Sequence, residues 1–489
     1  MVMKRIYENV QDVEKYMKKR IGLGTSFDVG VKHFVVMNKK AQLYFVNGLI
    51  DSMIISRLLE ELVEFNNRDH MLKRDVLATI ENRLIHEQVS RVKTMDEAVD
   101  QILTGLIAIF IEGQKSAFII DVRSYPGRSP EEPDTERVIR GSRDGYTENI
   151  IENTGLTRRR IKDERLRNEM LVVGERSKTD VCVSYIKDIA DETFVDVVKH
   201  KISEIDVDGI PMADKSLEEF ILGGKWSPFP MVRYTERPDV AARHLMDGHV
   251  IVHVDTSPTV IILPTTYFNC LEHAEEYRQA PAAGTFIRWV RLFAVLASIF
   301  LLPLWLLFVM EPSLLPPELS FIGPKEEGNV PIVFQIILAD VGVEFLRMAA
   351  VHTPTPLATA MGLIAAVLIG QIAVDVGLLS SEVILYVAIS TIGSYVTPSY
   401  ELSIANKIAK LFLIITTALF GVSGFMIGTL VTLIYLVRLK AFKTPYMWPF
   451  IPFDLRGMWH FIMRIPVPFL NIRPEIVHPK DQFSQPQKK

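Results

Sequence analysis

"FQIILADVGVEFLRMAA", residues 334–350, lies among the most apolar segments of the chain and still carries Asp340, Glu344 and Arg347. At i, i+4 and i+7 these charges share one helical face. Such a segment either lies flat in a membrane interface, with its charges turned to headgroups or a folded domain, or crosses or re-enters with its charged face lining water. Pro331 before it and Pro354 and Pro356 after it set it apart from smoother runs. The expectation is an interfacial elbow over 332–350, with Glu344 and Arg347 paired to each other.

Outward from that stretch the chain is unevenly built. Its 489 residues carry a net charge of -4, but the charge is concentrated before residue 285. The runs 292–310, 353–374, 383–400 and 411–437 contain no Asp, Glu, Lys or Arg. A membrane helix needs about 20 apolar residues, so these runs predict spans at about 289–310, 356–377, 382–399 and 408–437. As a straight helix the last is about 40 Å long and must tilt or protrude. Arg288 and Arg291 precede the first span, and Arg438, Lys440 and Lys443 follow the last. That bias puts both ends in the cytoplasm. Four spans satisfy it, but they leave Lys407 and Lys410 on the outer side, against the same bias.

The charged part repeats itself. "FVNGLIDSMIISRLLEEL" from Phe45 matches "YIKDIADETFVDVVKHKI" from Tyr185, aligning Asp51 with Asp191. Each reads as a strand followed by an amphipathic helix. "GLIAIFIEGQKSAFIID" from Gly105 matches "GHVIVHVDTSPTVIILP" from Gly248, and both read as hairpins. The fold class is therefore a duplicated soluble N-terminal domain of α/β or α+β type, followed by an all-α polytopic membrane domain. The predicted domains are 1–128, a charged linking segment 129–178 that turns helical from Asp144, a second subdomain 179–285, the membrane part 286–440 and a tail 441–489. The linking segment reads either as a solvated connector or as an interface between neighbouring subunits. Trp448 and Trp459 suit a tail lying at headgroup level, with disordered final residues.

Signals for chemistry are absent. The near-neutral charge argues against a nucleic-acid partner. The two cysteines, Cys182 and Cys270, suit a reducing compartment. The start of the chain, charged throughout, does not read as a secretory signal. "GGKWS" and "GLGTSFDVG" lack the spacing of phosphate or dinucleotide loops, and His86-Glu87 has no second histidine at zincin spacing. His244, His249 and His253 look like a cluster, but four residues of strand set the last two about 13 Å apart. No enzyme, metal or cofactor is expected. The membrane part says more. Ala358, Gly362, Ala366 and Gly370 recur every four residues, and Gln371 and Asp375 continue the helix. The small residues either pack tightly within one subunit or line a symmetric assembly around a conduit.

These stretches carry a resemblance. Residues 121–161, with Pro133, Arg140, Gly141 and Arg143, resemble the linking segment of the A-subunit family of bacterial spore germination proteins. "EFLRMAA" (344–350), "GLIAAVLIGQIAVDVGLLS" (362–380) and "SYVTPSYELSIANKIAKLFLI" (394–414), the last with Pro398, Tyr400 and Glu401, resemble its membrane part. The resemblance implies a multi-pass protein of the spore inner membrane whose N-terminal domain faces the core. It also implies a homo-oligomeric ring, a pentamer, that passes ions during germination beside other spore membrane germination proteins. By that analogy the 356–377 helix lines the pore. Leu363, Val367 and Leu368 would constrict it, and Asp375 and Asp340 would favour cations at a mouth. The reading is of an oligomeric ion channel, or a subunit of one, gated through its cytoplasmic domain. Its alternatives are a ligand-sensing or scaffold subunit, and a component of dipicolinic acid and calcium transport.

Overall fold

The computed structural model describes residues 4–21, 23, 29–46, 50–68, 89–124, 136–161, 163, 165–224, 226–324, 329–352, 362–365 and 367–485. The chain divides into two compact units, Met1–Gly127 and Arg128–Lys489.

The first unit holds five strands: β1 Val29–Val36, β2 Lys39–Val46, β3 Val89–Val92, β4 Ile107–Ile111 and β5 Ala117–Ile120. They form one antiparallel sheet in the order β1-β2-β4-β5-β3. Helices cover both faces, so β4 (IAIFI) and β5 (AFII) are buried at every position. The two-residue period sorts side chains to either face. Tyr44, Ala108 and Phe110 pack with Val13 and Met17 of helix Val10–Ile21 and with Ala98 and Ile102 of helix Met95–Leu103. Leu43, Ile109 and Phe118 pack with Ile55, Leu58 and Leu62 of helix Ser52–Arg68. Asp51 caps that helix, accepting from the N–H groups of Met53 at 2.8 Å and Ile54 at 3.2 Å.

The second unit opens with β6 Leu166–Val173, β7 Thr179–Ile186, β8 Arg233–Thr235, β9 Val250–Val254 and β10 Val260–Leu263. Their order, β6-β7-β9-β10-β8, is that of the first sheet rank for rank, and every pairing is antiparallel. Val195, Val198 and Ile202 of helix Glu192–Ser203 cover one face. Ala241 and Leu245 of helix Pro238–Asp247 cover the other, beside Tyr146. Asp191 caps its helix through the Thr193 N–H at 2.9 Å, as Asp51 caps its own. This sheet takes in a strand from the stretch 129–178. The helix expected from Asp144 instead runs Ile150–Arg160, capped by Asn149. The residues before it are irregular, and two of their acids pair with arginines beyond their immediate neighbourhood. Glu136 pairs with Arg233 at 3.2 Å and Asp144 with Arg160 at 2.6 Å.

Beyond the sheet lie helices Pro281–Met310, Ile332–His352, Ser381–Tyr395 and Tyr400–Arg438. Among the described residues, the first and last are long and apolar enough to cross a membrane. The last is not straight. Gly421 takes φ +56° and ψ −132°, and the chain reverses there. A Cβ on Gly428 would sit 3.2 Å from Leu413 Cδ2, whereas a straight helix would hold these positions about 22 Å apart. Near the open end, the Tyr435 ring packs 6.1 Å from Phe229, and Phe229 packs 6.4 Å from Tyr267, whose hydroxyl donates to Asn406. The expected single span over 408–437 is therefore a hairpin with two arms. Tyr400 and Arg438 lie at the same end of the bundle.

Contacts fix the direction of the other helices. Ser390 donates to the Ser298 carbonyl at 3.1 Å, and the Tyr386 and Trp305 rings are 4.7 Å apart, so Ser381–Tyr395 runs antiparallel to Pro281–Met310. Helix Ile332–His352 reaches along the bundle. At one end Gln335 accepts from the Ser380 N–H at 2.7 Å, and at the other Arg347 sits 4.8 Å over the Tyr400 ring. It lies alongside its neighbours and not across their ends. The tail returns to the second sheet domain. Helix Leu455–Ile462 is followed by chain in which Arg473 donates to the Met246 carbonyl and the Lys480 N–H donates to the Ile189 carbonyl.

Candidate functional site

The charges of 334–350 meet the first arm of the hairpin. Lys410 donates to Asp340 at 2.5 Å, with the two side chains 1% and 10% exposed. Glu344 accepts from Lys407 at 2.6 Å and from Arg347 Nε at 2.8 Å. The Arg347 guanidinium covers the Tyr400 ring, and the Lys407 ammonium stands 5.7 Å from the Tyr395 ring. In a low-dielectric bundle each of these ions would be costly alone, so they are stable only as a set. The Glu344–Arg347 pair follows from sequence spacing. The two lysine partners do not, because they come from a helix remote in the chain. Asp340, neutralised by Lys410, is no longer free to attract cations.

Two expected motif positions have local reasons. In "PSYEL" the Ser399 hydroxyl caps the hairpin's first arm, accepting from the Leu402 N–H at 3.2 Å and donating to Glu401 at 3.1 Å. Tyr400 then faces Arg347, and Pro398 precedes the cap. Gly141 has φ +148°, and a Cβ there would meet Arg278 Nε at 3.0 Å. That guanidinium reaches Asp239 at 2.7 Å. Arg140 and Arg143 flank Gly141 and are exposed. Pro133, Ala358 and Ala366 lie outside the described residues, as does His86.

The base of the bundle is tied to the sheet domain by Glu276. This fully buried carboxylate accepts from Arg288 Nε at 2.6 Å and also pairs with Arg291. Arg288 donates onward to the carbonyls of His460 (2.6 Å) and Phe461 (2.9 Å), so one side chain joins sheet domain, membrane helix and tail. The two arginines read from sequence as a charge bias are thus a buried clamp.

The pore candidates stand apart from this packing. Among the described residues, Gly362 and Gly370 have no atom within 4 Å of where a Cβ would lie. Leu363 is 72% exposed, and Val367, Gln371 and Asp375 are exposed as well. Among the described residues of 362–375, Ala365 and Ala373 are buried. Leu368–Ile372 is a π-helical turn, a feature that recurs at functional positions. Of the histidines, His244 and His249 have rings 4.9 Å apart, while His253 stacks on Tyr146. Among the described residues, no group of three His, Cys, Asp or Glu side chains is placed to hold a metal.

Comparison with known proteins bears on this arrangement. The family "Bacillus/Clostridium GerA spore germination protein" matches residues 15–476. Stage V sporulation protein AF of Bacillus subtilis is 57% identical over 482 residues, covering 99% of this chain and 98% of that protein. Spore germination protein KA of the same organism is 28% identical, covering 95% and 86%. The crystal structure of the N-terminal domain of the A subunit of the Bacillus megaterium spore germinant receptor GerK3 is 24% identical, covering 54% of this chain and 97% of that one, with a TM-score of 0.23.

Proposed function

The chain belongs to the Bacillus/Clostridium GerA family of spore germination proteins, and from that premise we propose that it is a subunit of an oligomeric ion channel acting in the spore inner membrane. The two sheets are read as copies of one ancestral unit. Helix Pro281–Met310, helix Ile332–His352, the segment 356–377, helix Ser381–Tyr395 and the two hairpin arms are read as six crossings. An even number keeps the sheet domain and the basic end of the hairpin on one face, the core side. Lys407 and Lys410 then lie nearer that face, which removes their conflict with the charge bias.

One observation carries the channel reading. The segment 362–375 presents two glycines, an amide and a carboxylate that are exposed among the described residues. A lipid-facing surface would not carry them. A neighbouring copy and a shared water path account for both the polar groups and the small residues. In this reading copies form a closed ring, Leu363 and Val367 narrow the path, and dewetting closes it at rest. The buried clamp at Glu276 passes a movement of the sheet domain to helix Pro281–Met310. The protein acts as a transport protein and not as an enzyme.

Ion flux through purified protein in liposomes is the test. The expected result is flux that rises on Val367→Asn, which wets the constriction, and a particle of several subunits with a central hole. Silent liposomes together with a monomeric particle in native membranes would overturn the reading.

A further inference from the structure

A cavity of about 720 Å³ opens where the second sheet domain, the base of helix Pro281–Met310 and the tail meet. Its volume is in the range of small-molecule sites. Seven arginines and five carboxylates line it, and Glu136, Glu276 and Asp481 from outside the lining take up three of the arginines. Most of these ions are engaged. Arg243 pairs with Asp247, Arg278 with Asp239, Arg288 with Glu276 and Arg473 with Asp481.

What is left over has a definite chemistry. Arg464 is 9% exposed; one of its terminal nitrogens donates to the Tyr277 carbonyl, but its buried Nε–H has no acceptor among the described residues. Arg456 lies on the tail helix and donates its guanidinium to no described residue. Two donors on fixed backbone therefore face the cavity without an acceptor. His249, 3% exposed, supplies the opposite want. Its Nδ1–H donates to the His244 carbonyl at 3.2 Å, which leaves Nε2 as a bare acceptor, and Nε2 has no donor. A buried polar atom left unpaired is costly. A cationic donor at Nε2 would meet repulsion from Arg233 and Arg243 nearby, so a neutral hydroxyl fits better. The remaining wall mixes the carboxylates Glu272, Asp454 and Glu475 with apolar side chains, Phe268 and Phe461 inside and the exposed Val467 and Phe469 at the rim.

We propose that this cavity binds a hydroxyl-bearing phosphate ester, its phosphate held by Arg464 and Arg456 and a hydroxyl donating to His249 Nε2. Two sources share that chemistry: the headgroup of phosphatidylglycerol entering past the apolar rim, and free glycerol phosphate. The site is separate from the proposed conduit and does not depend on ion conduction.

The test uses the full chain in detergent micelles, titrated calorimetrically with short-chain phosphatidylglycerol, short-chain phosphatidylcholine and sn-glycerol 3-phosphate. Saturable binding of phosphatidylglycerol, weakened about tenfold by Arg464→Gln and by Arg456→Gln, is the expected result. Arg456 is exposed on its helix, so its variant stays informative if Arg464→Gln fails to fold. Binding of sn-glycerol 3-phosphate with the same losses identifies a soluble source, and binding of the lipid alone a membrane source. Equal binding of phosphatidylcholine, no binding of either phosphate ester, or binding indifferent to the folded variants would each sink the proposal.

Discussion

Lys410 and Asp340 show how a single ion is kept inside an apolar bundle. Neither has water to solvate it, so each depends on the other at 2.5 Å. Lys410→Met leaves a buried carboxylate uncompensated and should cost about 3–5 kcal/mol. Exchanging the pair, Asp340→Lys with Lys410→Asp, should recover much of that loss in thermal unfolding of the solubilised protein. A double exchange no better than its single variants would show that the pairing itself stabilises nothing. The buried histidines make a second case. Burial pushes His249 down to about 4 and His253 down to about 3, from an ordinary 6.5. His249 also faces Arg233 and Arg243, which disfavour its protonation. The unfolded chain therefore binds more protons than the folded one at mildly acid pH. Stability contributed by the neutral rings is complete above about pH 6.5 and falls as pH drops toward 4, by up to about 1.4 kcal/mol per pH unit for each ring. His253 touches Tyr146 and bonds to nothing through either nitrogen. His253→Phe should stabilise the protein by about 1–3 kcal/mol and flatten this acid limb in melting curves taken between neutral and mildly acid pH.

At the scale of elements, the Gly421 reversal decides the bundle's geometry. Its φ and ψ lie in a region that only glycine occupies readily, so Gly421→Ala should cost about 1–3 kcal/mol. The sharper check is distance. Leu402 and Leu436 share one hydrophobic cluster, whereas a straight helix would hold them about 51 Å apart. Cysteines at these two positions should cross-link in high yield with a short reagent, and a failure to do so would restore the straight rod. The sequence did not announce this turn because "LFGVSG" carries no proline and reads as continuous apolar helix. The sheets were more legible. The two matching stretches that align Asp51 with Asp191 revealed a strand followed by an amphipathic helix, since those signals are local. The stretch 129–178 was harder, because Glu136 and Asp144 answer to arginines that no local spacing reveals. Helix Ile332–His352 shows the same limit. Two acids out of place in one apolar segment and two lysines out of place in another are complementary, but one segment's periodicity cannot say which other segment it touches.

For the whole molecule, the open question is what covers the segment 362–375. A folded chain normally packs its helices' small residues against something, because close backbone approach is their only advantage over larger side chains. Here Gly362 and Gly370 meet open space among the described residues. That separates folding from assembly in a way few positions allow. A Cβ at either position meets no atom of the described residues within 4 Å, so Gly370→Leu should leave the stability of the monomeric fold nearly unchanged, within about 0.5 kcal/mol for an exposed site. If neighbouring copies approach along this face, the same change should shift the particle to smaller species in size-exclusion chromatography with light scattering, and should abolish flux in liposomes. Gly362→Leu should behave alike. A contrast comes from Ala373, buried against the subunit's own helices: enlarging it should lower thermal stability first and affect assembly only through that loss. Should Gly370→Leu assemble and conduct like the native chain, the glycine face serves only lipid, and the conduit must be sought along another helix.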